Sequence, residues 1–202
     1  MTQFTAARLK ALLIEHDDGI LKSGSHAKDG RDFCAMEFLA KVAGEPWTDN
    51  PECVHPALSA YCRRLNDAHW PSDEARTETM LPLLAAVFGT RGLPIKVLNI
   101  AEQTIRMIVP IAMEAAAKRN PKHADALRAG GERCKNEGTR EAVLAARNLA
   151  RSAVDAAYAA YAAAAYADAA DADADAYAAE RIRIYQISIG IVMAEIERAR
   201  AA

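Results

Sequence analysis

Apolar side chains recur at helical spacing along most of the chain. Near the N-terminus, Phe4, Leu9 and Leu13 follow one another at intervals of four or five residues and predict a helix over residues 5–15. The polar residues 17–19 end that helix. The same spacing predicts five further helices in the first two thirds of the chain, over residues 32–42, 56–69, 73–88, 93–118 and 121–129.

Helix-breaking residues mark the connections between these helices. Residues 22–30 form a polar segment rich in turn formers, and residues 45–51 hold Pro46 and Pro51, which forbid a regular helix. Ser72 is a suitable N-cap for the fourth helix, in which Pro82 predicts a kink or a break. Pro110 predicts a bend in the fifth helix, and the pair Gly130-Gly131 predicts the end of the sixth.

The composition changes from about residue 139 onwards. Between residues 150 and 179, 18 of 30 residues are alanine, which has the strongest intrinsic helix preference. Val154, Tyr158 and Tyr161 share one stripe of this segment. We expect two or more helices, or one bent helix. Residues 181–200 combine an alternation of isoleucines with one apolar helical face, and we predict a helix there rather than a strand.

These patterns predict an all-α fold in two parts. Aromatic residues make up only 6% of the chain, which favours packed helices over sheets. A compact helical body is expected over residues 1–137, and an alanine-rich helical region over residues 138–202, packed on that body or on a second subunit. Because alanine surfaces let helix axes approach closely, we expect a homo-oligomer.

Charge and cysteine content narrow the classes of function. The chain has 25 Lys+Arg against 27 Asp+Glu, a net charge of −2, which argues against binding to nucleic acid or to an anionic membrane. No secretory signal and no apolar run long enough to span a bilayer is visible. We therefore expect a cytoplasmic protein whose four cysteines are thiols.

Polar residues that suit a ligand pocket concentrate between residues 23 and 67. Histidine, acids, an amide and a tryptophan at the ends of helices and in loops are the usual lining of such a pocket. The candidate ligand-binding residues are Ser25, His26, Glu37, Glu45, Trp47, Asp49, Asn66, Asp67 and, further along, Arg91. We expect Trp47 to stack on a base or a partner side chain, Arg91 to meet a phosphate or carboxylate, and His26, Glu37 and Asn66 to contact polar edges.

Each of these residues also has a purely structural interpretation. Glu37 is placed to cap a helix, Asp49 is an ordinary turn residue, and Asn66-Asp67 is suited to close a helix. Cys53 and His55 lack the paired spacing of a structural zinc site. No phosphate-binding loop, dinucleotide fingerprint or nucleophile elbow is present. We therefore predict no catalytic residue, no metal and no cofactor.

Residues 21–67 carry a motif string that resembles an uncharacterised family found in bacteriophages and actinobacteria. The family pattern is GSH, a glycine, C-x-M-E, AGE, D-x-P-x-C, a proline and N-D. The matching positions here are Gly24, Ser25, His26, Gly30, Cys34, Met36, Glu37, Ala43, Gly44, Glu45, Asp49, Pro51, Cys53, Pro56, Asn66 and Asp67. The step at residues 89–91 and the alanine-rich tail are similar as well. The resemblance implies a helical fold and a phage setting, and it implies no reaction.

Together these features predict a binding protein rather than an enzyme. In a phage setting, it would counteract host defence in the host cytoplasm, by sequestering a nucleotide-like immune signal or by blocking a host protein. Two alternatives remain open. One is a metal-assisted hydrolase of a phosphorylated or nucleotide substrate, with His26, Glu37 and Asp49 near the ion. The other is a structural or assembly protein that forms large oligomers through its tail.

Overall fold

The fold is all-α, as the sequence predicts. A computed structural model describes residues 4–16, 18–28, 31–164 and 171–202, with side chains outside residues 154–181. Within these ranges it contains eight α-helices and no strand. The helices are α1 (Ala6–His16), α2 (Ala35–Ala43), α3 (Pro56–Asn66), α4 (Asp73–Val87), α5 (Val97–Arg119), α6 (Ala124–Glu137), α7 (Arg140–Ala164) and α8 (Asp171–Arg200).

Side-chain caps set the starts of three of these helices. Ser72 caps α4 as predicted, and its hydroxyl accepts a hydrogen bond from the backbone N–H of Ala75 at 3.2 Å. Cys34 caps α2 through its sulfur, and His55 caps α3 through Nδ1. Cysteine and histidine are not among the usual cap residues, so these two caps were not predicted from the sequence, although the start of α3 at Pro56 was.

Two helices continue where the sequence predicts a break. α4 runs as one helix through Pro82, which is exposed, so of the predicted kink or break the break does not occur. α6 passes through Gly130-Gly131 and ends at Gly138, which has a φ of 66°. The prediction that the glycine pair ends α6 is therefore wrong. A Cβ at Gly131 would lie 3.2 Å from Met113 Cβ and 3.3 Å from Pro110 Cα, so close packing against α5 explains that glycine.

The chain divides into two compact units. The first comprises residues 1–97 with 192–202, and the second comprises residues 98–191. The division does not fall at the predicted boundary between residues 137 and 138, because α6 packs along α7 within one unit. Residues 192–202 belong to the first unit because Val192, Ile196 and Ala199 are buried in it.

The first unit is built around α4. This helix packs against α1, α2 and α3, and α2 also packs against α3. Its core consists of leucine, methionine, phenylalanine and valine side chains from these helices, with contributions from the C-terminal residues. Fully buried members include Leu9, Leu13, Met36, Phe38, Leu39, Leu58, Met80, Leu83, Leu84 and Ile196. This core fixes the ends of α1, α2 and α3, where the polar residues of the candidate site lie.

A polar clamp joins the C-terminal residues to the segment before α5. Glu195 is buried, and its carboxylate accepts a hydrogen bond from the backbone N–H of Lys96 at 2.6 Å. Arg198 donates to the carbonyl of Pro94 at 2.9 Å, and Arg200 donates to the carbonyl of Ala86 at 2.8 Å. The last turns of α8 are therefore part of the first unit through hydrogen bonds as well as packing.

The second unit has a core of small side chains. Ala142, Ala146 and Ala153 on α7 are buried together with Met113 on α5 and Leu127 on α6. Alanine at these positions lets neighbouring helices approach closely. Residues 182–200 lie in α8, which confirms the prediction of a helix there. No helix in the described ranges is both long enough and apolar enough to cross a bilayer.

Candidate functional site

Glu37 is a buried carboxylate at the start of α2. Its side chain is 2% exposed, and it accepts hydrogen bonds from the backbone N–H groups of Cys34 and His26, each at 2.8 Å. The ring Nδ1 of His26 lies 2.9 Å from Glu37 Oε2. Burial acts to raise the pKa of Glu37, but the hydrogen bonds from Cys34 and His26 outweigh it and lower the pKa below its ordinary value of 4.5. The ionised carboxylate therefore anchors the segment that contains His26.

Trp47 is held in place by the same segment. Its indole N–H donates a hydrogen bond to the backbone carbonyl of His26 at 3.1 Å. The ring of Phe33 lies 5.4 Å from the indole ring, centroid to centroid, at an interplanar angle of 42°. The indole is only half-buried, so one part of its surface packs on protein and another faces the solvent. Glu37, His26 and Trp47 thus form a continuous chain of hydrogen bonds that ends at an accessible aromatic ring.

Asn66 and Asp67 fix the beginning of this segment from the end of α3. Asn66 is 1% exposed and donates from Nδ2 to the carbonyl of Lys22 at 2.9 Å. Its Oδ1 accepts a hydrogen bond from the backbone N–H of Ala35 at 3.1 Å. Asp67 Oδ1 accepts a hydrogen bond from the N–H of Gly24 at 2.7 Å. The amide that sequence analysis assigns to a ligand therefore bonds to backbone groups inside the protein.

Two buried residues of α4 hold the segment from its other side. Arg76 is 5% exposed and donates hydrogen bonds to the carbonyls of Leu21 at 3.1 Å and Asn66 at 2.8 Å. The hydroxyl of Thr77 accepts a hydrogen bond from the N–H of Leu21 at 2.8 Å. Neither residue was predicted from the sequence, because their role becomes visible only from their burial and hydrogen bonds. Segment 21–26 is therefore anchored by α2, α3 and α4.

Glu45 anchors the turn that carries Trp47. Its two carboxylate oxygens accept hydrogen bonds from the backbone N–H groups of Glu52 at 2.6 Å and Cys53 at 2.8 Å. The backbone N–H of Glu45 in turn donates to the carbonyl of Ala40 near the end of α2. The turn over residues 45–53 is thereby tied to α2 and closed on itself.

An open cleft of about 330 Å³ lies beside Trp47 in the first unit. This cleft, here called the Trp47 cleft, is lined by Phe33, Glu45, Pro46, Trp47, His16, Lys28 and Lys41. Its volume is at the lower end of the range of roughly 300–1,000 Å³ that is typical of small-molecule sites. The rim carries two lysines and one histidine against one glutamate, and both oxygens of that glutamate already accept backbone N–H groups. The cleft therefore combines an aromatic surface with a positively charged rim.

The nine residues predicted from the sequence fall into three groups. Glu45 and Trp47 line the Trp47 cleft. The hydrogen-bond network that positions Trp47 and segment 21–26 contains His26, Glu37, Asn66 and Asp67. Ser25, Asp49 and Arg91 are exposed and do not line the cleft. The guanidinium of Arg63 donates a hydrogen bond to the carbonyl of Asp49 at 3.0 Å. The backbone N–H of Arg91 donates to the carbonyl of Cys53 at 3.3 Å.

Five residues of the cleft are missing from the predicted set. They are His16, Lys28, Phe33, Lys41 and Pro46. Lys28 follows the Ser25-His26 pair in the polar loop, and Lys41 lies in the last turn of α2, just before the turn with Trp47. A basic residue at each of two loop edges is a weak sequence signal, since lysines are common at any surface.

The four cysteines have no sign of nucleophilic activation. Burial raises the pKa of the Cys34, Cys53 and Cys62 thiols to about 12, and hydrogen bonding and charge from Glu45 add to the effect at Cys53. Burial also raises the pKa of Cys134. The thiolate is the reactive form of cysteine, so these thiols are protonated and unreactive at neutral pH.

No three His, Cys, Asp or Glu side chains converge on a possible metal position in the part of the chain that the structure describes. His26 and Glu37 contact each other, whereas Asp49 lies 3.7 Å from Arg63 Nε in a different part of the site. His55 uses its Nδ1 to accept the N–H of Ala57 at 3.2 Å. The ligand sets considered from the sequence are therefore not assembled among these residues.

Known proteins provide no template for this arrangement. No family model, no characterised protein and no solved structure matches the chain. The likeness of residues 21–67 to a phage and actinobacterial family therefore stays an expectation that depends on the motif string alone. The function has to be inferred from the geometry of the Trp47 cleft.

Proposed function

We propose that this protein binds a small anionic ligand with a flat aromatic part, such as a nucleotide, in the Trp47 cleft. The observation that carries the proposal is the half-exposed indole of Trp47 beside the side chains of Lys28, Lys41 and His16. A nucleotide has the two properties that such a cleft selects, a stackable base and a charged phosphate. A ligand with only a base would contact only the aromatic surface of the cleft, and a ligand with only a phosphate would contact only its charged rim.

The position of Trp47 supports the aromatic half of the proposal. Its indole N–H is already bonded to His26 and its ring packs beside Phe33, so little conformational entropy remains to be lost on stacking. Base–aromatic stacking is worth about 1–3 kcal/mol per base. A pre-positioned indole can use most of that energy for binding.

The rim supports the anionic half. Lysine ammonium groups bind phosphate as compact point charges, and the cleft has two of them on different elements, Lys28 in the loop and Lys41 on α2. The one carboxylate of the cleft, Glu45, is occupied by two backbone N–H groups. The local charge therefore attracts an anion although the whole chain carries −2.

The chemistry of the lining supports binding without turnover. The residues that line the cleft include no cysteine or serine, and Glu45 is engaged as an anchor rather than poised as a base. The alternative of a metal-assisted hydrolase gains no support, because His26, Glu37 and Asp49 do not converge among the described residues. No specific observation favours an assembly protein or a protein that blocks a host partner over a ligand-binding one.

The resemblance of residues 21–67 to a phage family supports a biological role for such binding. We propose that the protein removes a nucleotide-like immune signal of the host by sequestering it. Sequestration without turnover is stoichiometric, so it needs a tight complex and abundant protein. A ligand that stacks on the indole and also pairs with the charged rim would form such a tight complex.

Differential scanning fluorimetry of the full chain tests the proposal. The panel comprises cyclic dinucleotides, ADP-ribose, a nucleoside monophosphate, the matching uncharged nucleoside and inorganic phosphate. We expect one or more nucleotides to raise the melting temperature, since a ligand that binds only the folded state stabilises it by mass action. The nucleoside and the inorganic phosphate alone are expected to give smaller shifts, because each engages only half of the cleft.

Three variants locate the effect. Trp47→Ala is expected to abolish the shift through lost stacking, and Lys28→Glu with Lys41→Glu is expected to abolish it through charge reversal. Lys118→Glu with Lys122→Glu changes the charge by the same amount at exposed positions outside the cleft and is expected to keep the shift. A shift that survives Trp47→Ala, or an absence of any shift across the panel, contradicts the proposal.

A further inference from the structure

A second, smaller cleft lies on the first unit. Its volume is about 190 Å³, and its apolar lining comprises Phe4, Ala85, Ala86, Met193 and Ile196. All of its lining residues belong to the first unit, and none of them lines the Trp47 cleft. We call it the C-terminal cleft, because the last turns of α8 form part of its wall.

The apolar surface of the C-terminal cleft is formed by side chains that are already fixed in the fold. Ala85 and Ala86 lie near the end of α4 and lack the side-chain atoms that would fill the cleft. The ring of Phe4 packs against the ring of Phe88, with the two centroids 4.5 Å apart. Ile196 is completely buried. The cleft is therefore preformed, and a ligand loses little affinity to ordering of these side chains.

Two side chains of opposite charge complete the lining. Glu197 and Arg200 both line the cleft, and both are exposed, so they lie at its edge. They are three residues apart on α8 and are therefore neighbours on one face of that helix. In the part of the chain that the structure describes, they nevertheless form no ion pair with each other.

The preceding pair on the same helix, at the same spacing, does form an ion pair. Arg198 donates from Nε to the carboxylate of Glu195 at 2.8 Å. Arg200 differs because its Nη2 donates to two backbone carbonyls, of Ala86 at 2.8 Å and of Phe88 at 3.4 Å. These two bonds hold the guanidinium of Arg200 against the end of α4.

Both charged side chains at the edge keep hydrogen-bonding capacity for a ligand. The carboxylate of Glu197 and the Nε and Nη1 of Arg200 make no hydrogen bond with any residue that the structure describes. An ammonium group complements the first of these side chains, and a carboxylate complements the second. The cleft therefore offers an apolar surface, one anion and one cation next to each other.

We propose that the C-terminal cleft binds a free α-amino acid with an apolar side chain, such as leucine, methionine or phenylalanine. The side chain of the ligand occupies the apolar cleft, its α-ammonium pairs with Glu197, and its α-carboxylate pairs with Arg200. A free amino acid carries both charges on the carbon atom that also bears its side chain, which matches two opposite charges beside one apolar cleft. The proposal is independent of what the Trp47 cleft binds.

The size and the charges of the cleft disfavour other classes of ligand. Its volume lies below the range of roughly 300–1,000 Å³ that is typical of sites for larger small molecules, so it suits a ligand smaller than a nucleotide. An uncharged apolar molecule would leave both charged side chains without a partner. An internal segment of a peptide has neither a free ammonium nor a free carboxylate on its backbone.

NMR of the full chain with isotope-labelled methionine methyl groups tests the proposal. Met193 lines the cleft, whereas Met36 and Met80 are completely buried in the core of the first unit. We expect at least one of L-leucine, L-methionine and L-phenylalanine to shift the Met193 signal in a saturable manner and to leave the signals of Met36 and Met80 in place. The absence of a shift at Met193 with all three amino acids overturns the proposal.

Derivatives of the amino acid that binds test the role of each charge. The amide lacks the carboxylate and the N-acetyl derivative lacks the ammonium, and we expect each to bind at least tenfold more weakly than the free amino acid. The N-acetyl amide lacks both charges and is expected to bind more weakly still. If the N-acetyl amide binds as tightly as the free amino acid, the cleft accepts an apolar side chain of a partner protein and the proposal is overturned.

Two variants and a matched control locate the binding. Glu197→Gln is expected to weaken it at least tenfold through loss of the ammonium partner, and Ala85→Leu is expected to abolish it by filling the cleft. Glu78 is exposed on α4 and does not line the cleft, so Glu78→Gln removes the same charge and should keep the wild-type affinity. Circular dichroism and the melting temperature check that the variants are folded. Wild-type affinity in either folded variant, Glu197→Gln or Ala85→Leu, overturns the proposal.

Discussion

Glu37 holds His26 at two of its atoms, the backbone nitrogen at 2.8 Å and the ring Nδ1 at 2.9 Å. The carbonyl of the same histidine accepts the indole N–H of Trp47. A buried carboxylate on α2 thus determines where the aromatic ring of the cleft lies. The stability of the first unit and the shape of the Trp47 cleft consequently depend on the same group.

Replacing Glu37 with glutamine tests this dependence. Glutamine keeps one carbonyl oxygen but loses the charge, so one of the two backbone N–H groups that it binds loses its acceptor. Hydrogen bonds to charged groups contribute about 1.5–3 kcal/mol, and we expect the free energy of unfolding at pH 7 to fall by roughly 2 kcal/mol. Urea denaturation followed by circular dichroism measures the change.

The exposed Glu52 provides the control for this substitution. Glu52→Gln removes the same charge at the surface and is expected to change the free energy of unfolding by less than about 0.5 kcal/mol. Equal effects of the two substitutions would show that Glu37 is not an anchor.

The pH dependence of stability follows from the lowered pKa of Glu37. The folded protein holds this pKa below 4.5, so its stabilising contribution is complete above that pH and is lost as the pH falls through the folded-state pKa. We expect the difference in unfolding free energy between wild type and Glu37→Gln to shrink as the pH falls below 4.5. A difference that grows in that pH range would contradict the assigned direction. Urea titrations at a series of pH values supply both curves.

Two glycines are expected to respond to alanine in opposite directions. At Gly131 a Cβ would press on Met113 and on the backbone of Pro110, neither of which can move alone, so we expect a loss of about 1 kcal/mol from overpacking. At Gly190, inside α8, a Cβ would meet nothing within 4 Å, and we expect a gain of about 0.5–1 kcal/mol from helix propensity. Thermal unfolding of both variants measures the two signs. Stabilisation by Gly131→Ala would refute the close approach of α6 to α5.

The C-terminal residues are expected to be essential for the first unit. Ile196 is completely buried there, and Ile196→Ala should cost about 2–4 kcal/mol through lost burial and the cavity that it leaves. Leu98 is 84% exposed, and Leu98→Ala should cost less than about 0.5 kcal/mol. Chemical denaturation of the two variants compares them. Similar losses for both would mean that residues 192–202 do not contribute to that core.

The helices were largely predictable from the sequence because their apolar spacing and their caps are local properties. Ser72 caps α4 as predicted, and Gly44, which carries the ordinary signal of a C-cap, lies at the end of α2. The glycine pair in α6 misled the prediction because its cause is tertiary. Position 131 requires a residue without a side chain because α5 passes close to it. From a single sequence, a glycine needed for close packing cannot be distinguished from one that ends a helix.

The candidate site was predictable only in part, for a similar reason. Of the residues that the sequence indicated, Glu45 and Trp47 line the Trp47 cleft, and ligand binding there stays a prediction. Whether a polar side chain faces a ligand or a backbone group depends on burial. Glu37 and Asn66 are buried and bond to backbone groups, whereas Lys28 and Lys41 have ordinary surface spacing and yet lie at the rim.

Tryptophan fluorescence tests the central claim most directly, because the two tryptophans lie in different environments. Trp47 is half-exposed in the cleft, whereas Trp70 is 7% exposed and donates to the carbonyl of Leu65. We predict that a nucleotide from the panel quenches the emission of the wild-type protein in a saturable manner, since the base stacks on the indole. In Trp47→Phe, which leaves only Trp70, the quenching should disappear while the melting temperature without ligand stays within a few degrees of the wild-type value. Saturable quenching that persists in Trp47→Phe, or nucleotide binding that leaves the emission of Trp47 unchanged, would contradict a ligand site at this cleft.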